Sequence, residues 1–184
     1  MGRLKDVIVA EPNLLLVGIN PGLRSSAVGH HFAGNGNPFW RLLAESRLIP
    51  TPLTYADDQR LAETRIALTN LCPRATRTAA ELTRVEIARG RRTLARKCAR
   101  LKPRVVAFVG LSLYQMYFCL PRSGGPGAKP QTIAGARVFV VPNPSGLNAS
   151  FPGFASKLVW FRALRRFVDR ASERVVPPSR QRDS

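Results

Sequence analysis

At 184 residues and 20.3 kDa, with 45% hydrophobic side chains, the chain is long enough to bury one core and too apolar to be globally disordered. Lys and Arg number 29 against 11 Asp and Glu, a formal charge of +18, so a polyanion is the expected partner, nucleic acid being the commonest. Codon bias accounts for arginine over lysine but not for the shortage of acids, since no Asp or Glu occurs between Glu86 and Asp169.

Leu14-Leu15-Leu16-Val17 is the first of four near-continuous apolar runs, the pattern of parallel strands covered on both faces. Asn37-Pro38 ahead of Phe39-Trp40-Arg41-Leu42-Leu43 predicts a helix capped by Asn37 with Pro38 in its first position. Ile66-Ala67-Leu68 is the second strand. Thr83-Arg84-Val85-Glu86 reads as a capping box opening a helix that runs to about Leu101 and stops before Pro103. Leu94, Cys98 and Leu101 share one face of it and leave most arginines on the other. Val105–Val109 is the third strand, residues 111–118 a helix, Val138–Val141 the fourth strand, and a last helix runs from about Phe154 to Arg170. Strand and helix in alternation predict an α/β fold with a mostly parallel sheet. One domain is expected over residues 1–170, then a disordered basic tail over 171–184 with Pro177-Pro178.

Cys72, Cys98 and Cys119 are too few and too far apart for a metal cage, and their odd number argues against a disulfide framework. Buried free thiols in a reducing cytoplasm are expected, with no metal and no cofactor. Asp6 and Glu11 precede any sustained apolar run, so no leader is expected, and no stretch reaches the length of a membrane span.

In open α/β sheets the site lies beyond the carboxyl ends of the strands. Two loops stand there. Gly18-Ile19-Asn20-Pro21-Gly22 follows the first strand and continues through His30-His31-Phe32; its Pro-Gly pair makes a tight turn. Asn20 at the strand tip offers an amide with an acceptor and donors. Pro142-Asn143-Pro144-Ser145-Gly146-Leu147-Asn148 follows the last strand. It is a stiff loop whose apolar tip, on a basic protein, suits a wedge entering a base stack.

These loops, with Gly29-His30-His31-Phe32, Asn37-Pro38-Phe39-Trp40 and Leu68-Thr69-Asn70-Leu71, closely resemble the mismatch-specific uracil/thymine DNA glycosylases within the uracil-DNA glycosylase superfamily. The resemblance runs from about Leu14 to Arg166, with five motifs in order. It implies a three-layer α/β/α fold around a mostly parallel sheet of four to five strands. The implied activity is monofunctional hydrolysis of the N-glycosidic bond of uracil in mismatched duplex DNA, by base flipping, leaving an abasic site. The implied partner is double-stranded DNA with a G·U or G·T mismatch, bound by a monomer.

By the same resemblance Asn20 positions the attacking water, Ile19 lines the floor of the base pocket and Phe32 stacks on the extracted base. Asn143, Pro144 and Ser145 brace the phosphates around the flipped nucleotide. Gly146, Leu147 and Asn148 fill the vacated space. Uracil-only relatives carry a bulky aromatic where Gly22 stands, so Gly22 leaves room for thymine or etheno-cytosine. They also carry a histidine where Asn143 stands, and its loss removes a donor to the leaving base. Asn70 matches an Asn of thymine-processing relatives and is expected at the base edge, though an Asn ending a strand is also an ordinary turn residue.

A carboxamide takes no proton near neutral pH, so Asn20 can only orient water; general-base assistance worth about 10²–10⁴-fold is forgone and slow turnover is expected. His30 and His31 have no carboxylate nearby in sequence, and a loop contact is as plausible for them as a role at the water or a phosphate. Glu81 and Glu86 are the acids nearest the expected mouth of the site, with Glu86 explained by its capping box. The rival class is a non-catalytic nucleic-acid-binding module using the same basic surface. A phosphate-binding nucleotide enzyme is disfavoured, because Gly18–Gly22 lacks the lysine of a P-loop and the spacing of a dinucleotide fingerprint.

Overall fold

Alternation of side chains along a strand sends successive residues to opposite faces, so a run that is apolar throughout must be covered twice. The computed structural model, which describes residues 4–122, 124–145 and 150–173, has that arrangement. Strands β1 (Leu14–Gly18), β2 (Ile66–Asn70), β3 (Val105–Val109), β4 (Gly127–Ile133) and β5 (Ala136–Val141) form one sheet in the order β2-β1-β3-β5-β4. All neighbours are parallel except β4 with β5. Leu14, Leu16, Leu68, Ala107 and Phe139 pack on one side against α2 (Phe39–Glu45) and α5 (Gly153–Glu173). Leu15, Val17, Val106, Phe108 and Val140 pack on the other against α3 (Arg84–Leu101) and α4 (Leu111–Phe118). The fold is the three-layer α/β/α sandwich that the resemblance implies.

The Thr83 hydroxyl accepts from the Glu86 N–H while the Glu86 carboxylate returns to the Thr83 N–H at 2.8 Å, the reciprocal box expected there. At α2 the expectation shifts by one residue. Pro38 takes the cap position, and the Asn37 side chain reaches past it to the Phe39 N–H at 3.0 Å.

Three elements of six or more residues are absent from the sequence expectation. β4 reads Gly-Ala-Lys-Pro-Gln-Thr-Ile, with only Ile133 buried, so it shows no apolar run; it is an edge strand with Pro130 at a register irregularity. α1 (Leu23–Val28) is six residues between Gly22 and Gly29, too short for a period to register. Tyr55–Thr64 is a 3₁₀ helix of mostly polar residues, in which Leu61 is the only buried apolar side chain. Two expectations are corrected. Cys119 is exposed, its sulfur 2.9 Å from an Arg91 guanidinium nitrogen, whereas Cys72 and Cys98 are buried. α5 extends through Glu173, so residues 171–173 belong to the helix and Ala171 packs in the core. Among the described residues no helix is long and apolar enough to cross a membrane, and no group of three His, Cys, Asp or Glu could hold a metal ion.

Candidate active site

Because β1, β2, β3 and β5 are parallel, the loops that follow them emerge at one end of the sheet. There they enclose a pocket of about 270 Å³ lined by Ile19, Asn20, Gly22, Phe32, Asn70, Asn143 and Ser145 among others. The loops after the first and last strands therefore share a cavity. Pro144 is buried behind that rim. Gly146, Leu147 and Asn148, expected to form the wedge, lie outside the described residues.

Asn20 is held by partners far along the chain. Its Nδ2 donates to the Arg74 carbonyl at 2.9 Å and to the Thr76 hydroxyl at 2.7 Å, with a longer contact to the Pro21 carbonyl at 3.3 Å. A carbonyl can only accept, and the Thr76 hydroxyl spends its proton on the Thr78 carbonyl at 2.7 Å. The orientation of the amide follows: both donors face the protein, and Oδ1 is the atom left without a partner among the described residues. Glu86 anchors the same segment by taking both Nε and Nη2 of Arg74 at 2.6 and 3.0 Å. Arg74 and the Thr83 cap together hold the Glu86 carboxyl down to about 2. Glu81 closes a second box onto the Thr78 N–H at 2.9 Å. Neither acid lines the pocket.

Phe32 adopts a left-handed backbone, φ 51°, and its ring stacks on Phe39 at 3.7 Å between centroids and 15° between planes. Phe39 is in turn set edge-on against Trp40 and Phe161. One face of Phe32 is thus covered, and only the other face and the ring edge are open to a ligand. The flanking backbone is tied on every side. The His30 and Ala33 N–H groups donate to the Ser25 carbonyl and hydroxyl, Trp40 Nε1 donates to the His31 carbonyl, and Arg24 donates to the Ala33 carbonyl. The His31 N–H goes to the buried Asp58 carboxylate at 2.9 Å, whose other oxygen faces His30 Nδ1 at 3.2 Å.

The histidines therefore do have a carboxylate, supplied from the 3₁₀ helix 27 and 28 residues away, beyond the reach of any local pattern. His31 lines the pocket yet is buried, and its Nε2 must carry the proton because its partner at 2.9 Å is the Lys5 carbonyl. Burial pushes its pKa below the ordinary value, favouring the neutral ring.

Gly18 pairs with Asn70 across β1 and β2, and a Cβ there would stand 2.5 Å from Asn70 Oδ1. The missing side chain is what lets the Asn70 amide lie over the strand end. Among the described residues that amide makes no hydrogen bond. A Cβ at Gly22 would meet nothing within 4 Å, so the pocket is open on that side. Sequence reasoning missed Thr76, Arg77, Thr78 and Ala79, which form the wall after β2. The only local sign of them is the Thr78–Glu81 box.

Residues 6–165 match the family model described as the uracil DNA glycosylase superfamily. The chain belongs to that superfamily. It is 34% identical over 164 residues to a G/U mismatch-specific uracil DNA glycosylase of Schizosaccharomyces pombe (strain 972 / ATCC 24843), a match covering 84% of this chain and 50% of that protein. This superfamily member thus spans about half the length of that relative. The solution NMR structure of a uracil DNA glycosylase candidate from Methanosarcina acetivorans superposes with a TM-score of 0.62 and 22% identity, covering 89% of this chain and 97% of the other. At that identity the likeness establishes the shared fold.

Proposed function

We propose that the chain is a monofunctional DNA glycosylase that hydrolyses the N-glycosidic bond of uracil in mismatched duplex DNA and leaves an abasic site. The observation that carries this is Asn20: a neutral amide at the pocket, its donors anchored by Arg74 and Thr76, its Oδ1 left as an acceptor. An acceptor fixed in that way holds and aims a water at the sugar carbon of an everted nucleotide. The water oxygen bonds to C1′ as the bond to the base nitrogen breaks, the electron pair leaves with the base, and the surplus proton passes to solvent. Asn20 does not take it, so turnover is slow.

Extrusion of the base costs about a few kcal/mol, less for a mispair, which selects mismatched substrate before any contact forms. Stacking on the uncovered face of Phe32 recovers about 1–3 kcal/mol of that cost. In this reading the Asn70 amide, which makes no hydrogen bond among the described residues, donates to the departing base, and Ile19 floors the pocket. Asn143, Pro144 and Ser145 brace the flanking phosphates, with Gly146, Leu147 and Asn148 as the wedge. The open space at Gly22 admits the 5-methyl of thymine and the added ring of etheno-cytosine. Among the described residues no lysine lines the pocket, which supports a reaction that stops at the abasic site.

The test is a panel of duplexes carrying uracil, thymine, hypoxanthine or etheno-cytosine opposite guanine or adenine, treated with protein and then with alkali. Cleavage of the G·U duplex first and fastest is expected. Duplexes that are bound but never acquire an abasic site would leave the non-catalytic binding module as the correct reading.

A further inference from the structure

Among the described side chains lining the pocket, Arg77 alone carries a fixed charge; the other titratable one, His31, is buried, which favours its neutral ring. Its surroundings make that charge available. Arg77 is exposed and makes no ion pair or hydrogen bond among the described residues. Arg74, three residues earlier, is fully engaged by the Glu86 carboxylate and the Glu81 carbonyl. The two acids nearest in sequence are themselves occupied, Glu81 with Thr78 and Glu86 with Thr83 and Arg74.

The backbone on either side of Arg77 is pinned. The Thr76 N–H donates to the Pro21 carbonyl at 3.2 Å, Thr76 bridges to Gly22, and the Thr78 N–H is capped by Glu81. A free guanidinium thus projects from a fixed base. The sheet order puts this segment, which follows β2, across β1 and β3 from Asn143 and Ser145, which follow β5. A nucleotide turned into the pocket carries one phosphodiester on each side of its sugar, and the segment after β2 lines the pocket as well as the Asn143–Ser145 rim that the proposed function sets against phosphate.

We infer that Arg77 binds a backbone phosphate next to the flipped nucleotide, on the rim opposite Asn143–Ser145. The everted residue is then gripped from both sides, by a cation on one and by neutral hydrogen bonds on the other. This rests on the glycosylase reading. The leaving base is the other anion a guanidinium here could meet, but Arg77 is exposed, and exposure suits a phosphate of the solvated backbone better than a base enclosed in the pocket.

Binding of a G·U duplex whose uridine is 2′-fluorinated to resist cleavage separates these cases, measured from 50 to 200 mM salt for the wild type, R77A and R77K. Neutralising one phosphate contributes about 0.9 to the slope of log affinity against log salt. R77A should lose that increment, so its affinity deficit shrinks roughly threefold across the range, and R77K should restore it. With cleavable duplex, R77A should need several-fold more protein for half its maximal single-turnover rate. A methylphosphonate at the contacted phosphate should weaken wild-type binding and leave R77A unaffected. An unchanged salt slope in R77A overturns the inference, as does a loss confined to the rate at saturation, which would assign Arg77 to the leaving base. If the wild type releases no uracil while R77A still loses its increment of slope, the phosphate contact stands and the glycosylase reading falls instead.

Discussion

The two walls of the pocket are built differently. On the wall formed by residues 30–33, the N–H groups of His30, His31 and Ala33 and the carbonyls of His31 and Ala33 all have partners, and Phe32 is clamped against Phe39. The wall after β2, with the Asn20 amide that it holds, is also pinned, but it presents polar atoms that have no partner among the described residues: the Asn70 amide, Asn20 Oδ1 and the Arg77 guanidinium. The contrast separates two tasks. On the proposed function, a stacking surface must be rigid before the base arrives, whereas groups that are to meet water, base and phosphate must keep their hydrogen-bonding capacity unspent.

Breaking the rigid wall should have the largest effect on the fold. Asp58→Ala strips the buried His31 N–H of its acceptor and His30 of its carboxylate, at a cost of about 1–3 kcal/mol in a urea denaturation series. Quenching or shift of Trp40 fluorescence should accompany it, since the indole is bonded to the same segment. Unchanged stability would mean the carboxylate braces nothing.

Next comes Gly90→Ala on α3. A Cβ there would stand 2.5 Å from the Leu71 carbonyl, at the root of the second wall. The clash with backbone outweighs the ~1 kcal/mol helix-propensity gain and lowers the melting temperature. A melting temperature at or above the wild type would show that the root of this wall is slack.

Gly22→Phe sharpens the comparison without touching stability, because its φ of −69° suits any residue and the space is empty. Release of thymine and etheno-cytosine should fall well below that of uracil in a competition assay; equal losses on all three would place the ring elsewhere. Gly18→Ala should act most gently. Its Cβ displaces only the flexible Asn70 amide, so release should drop to the level of Asn70→Ala and the double variant should be no worse. Additive losses would separate the two positions.

Acidification probes the rigid wall again. The unfolded chain protonates His31 near its ordinary value of 6.5, while the folded chain, with the ring buried, resists the proton. Unfolding is therefore favoured as pH falls below about 6.5, and stability contributed by the neutral ring is complete above it. Melting temperatures between pH 5 and 7 should decline less steeply in His31→Gln than in the wild type.

How much of this was legible in the sequence differs between the two walls. The apolar strands, the Thr83 box and the loops bearing Asn20 and Asn143 declared themselves, because buried parallel strands and helix caps leave local patterns. Asp58 and Thr76 did not. Each acts across tens of residues on a partner fixed only by the fold, Asp58 from a polar 3₁₀ helix and Thr76 from a turn 56 residues beyond Asn20. β4 escaped for a related reason: an edge strand buries one side chain and needs no apolar run. Arg77 was one arginine among many until Arg74, Glu81 and Glu86 were seen to be paired without it.

The most direct test of the account compares wild type and Asn20→Ala in single-turnover release of uracil from a G·U duplex, alongside equilibrium binding of the same duplex. Retained binding with release reduced by about 100-fold or more is predicted, since only the aim of the water is lost. Release at the wild-type rate would mean that no amide at this strand end holds the nucleophile.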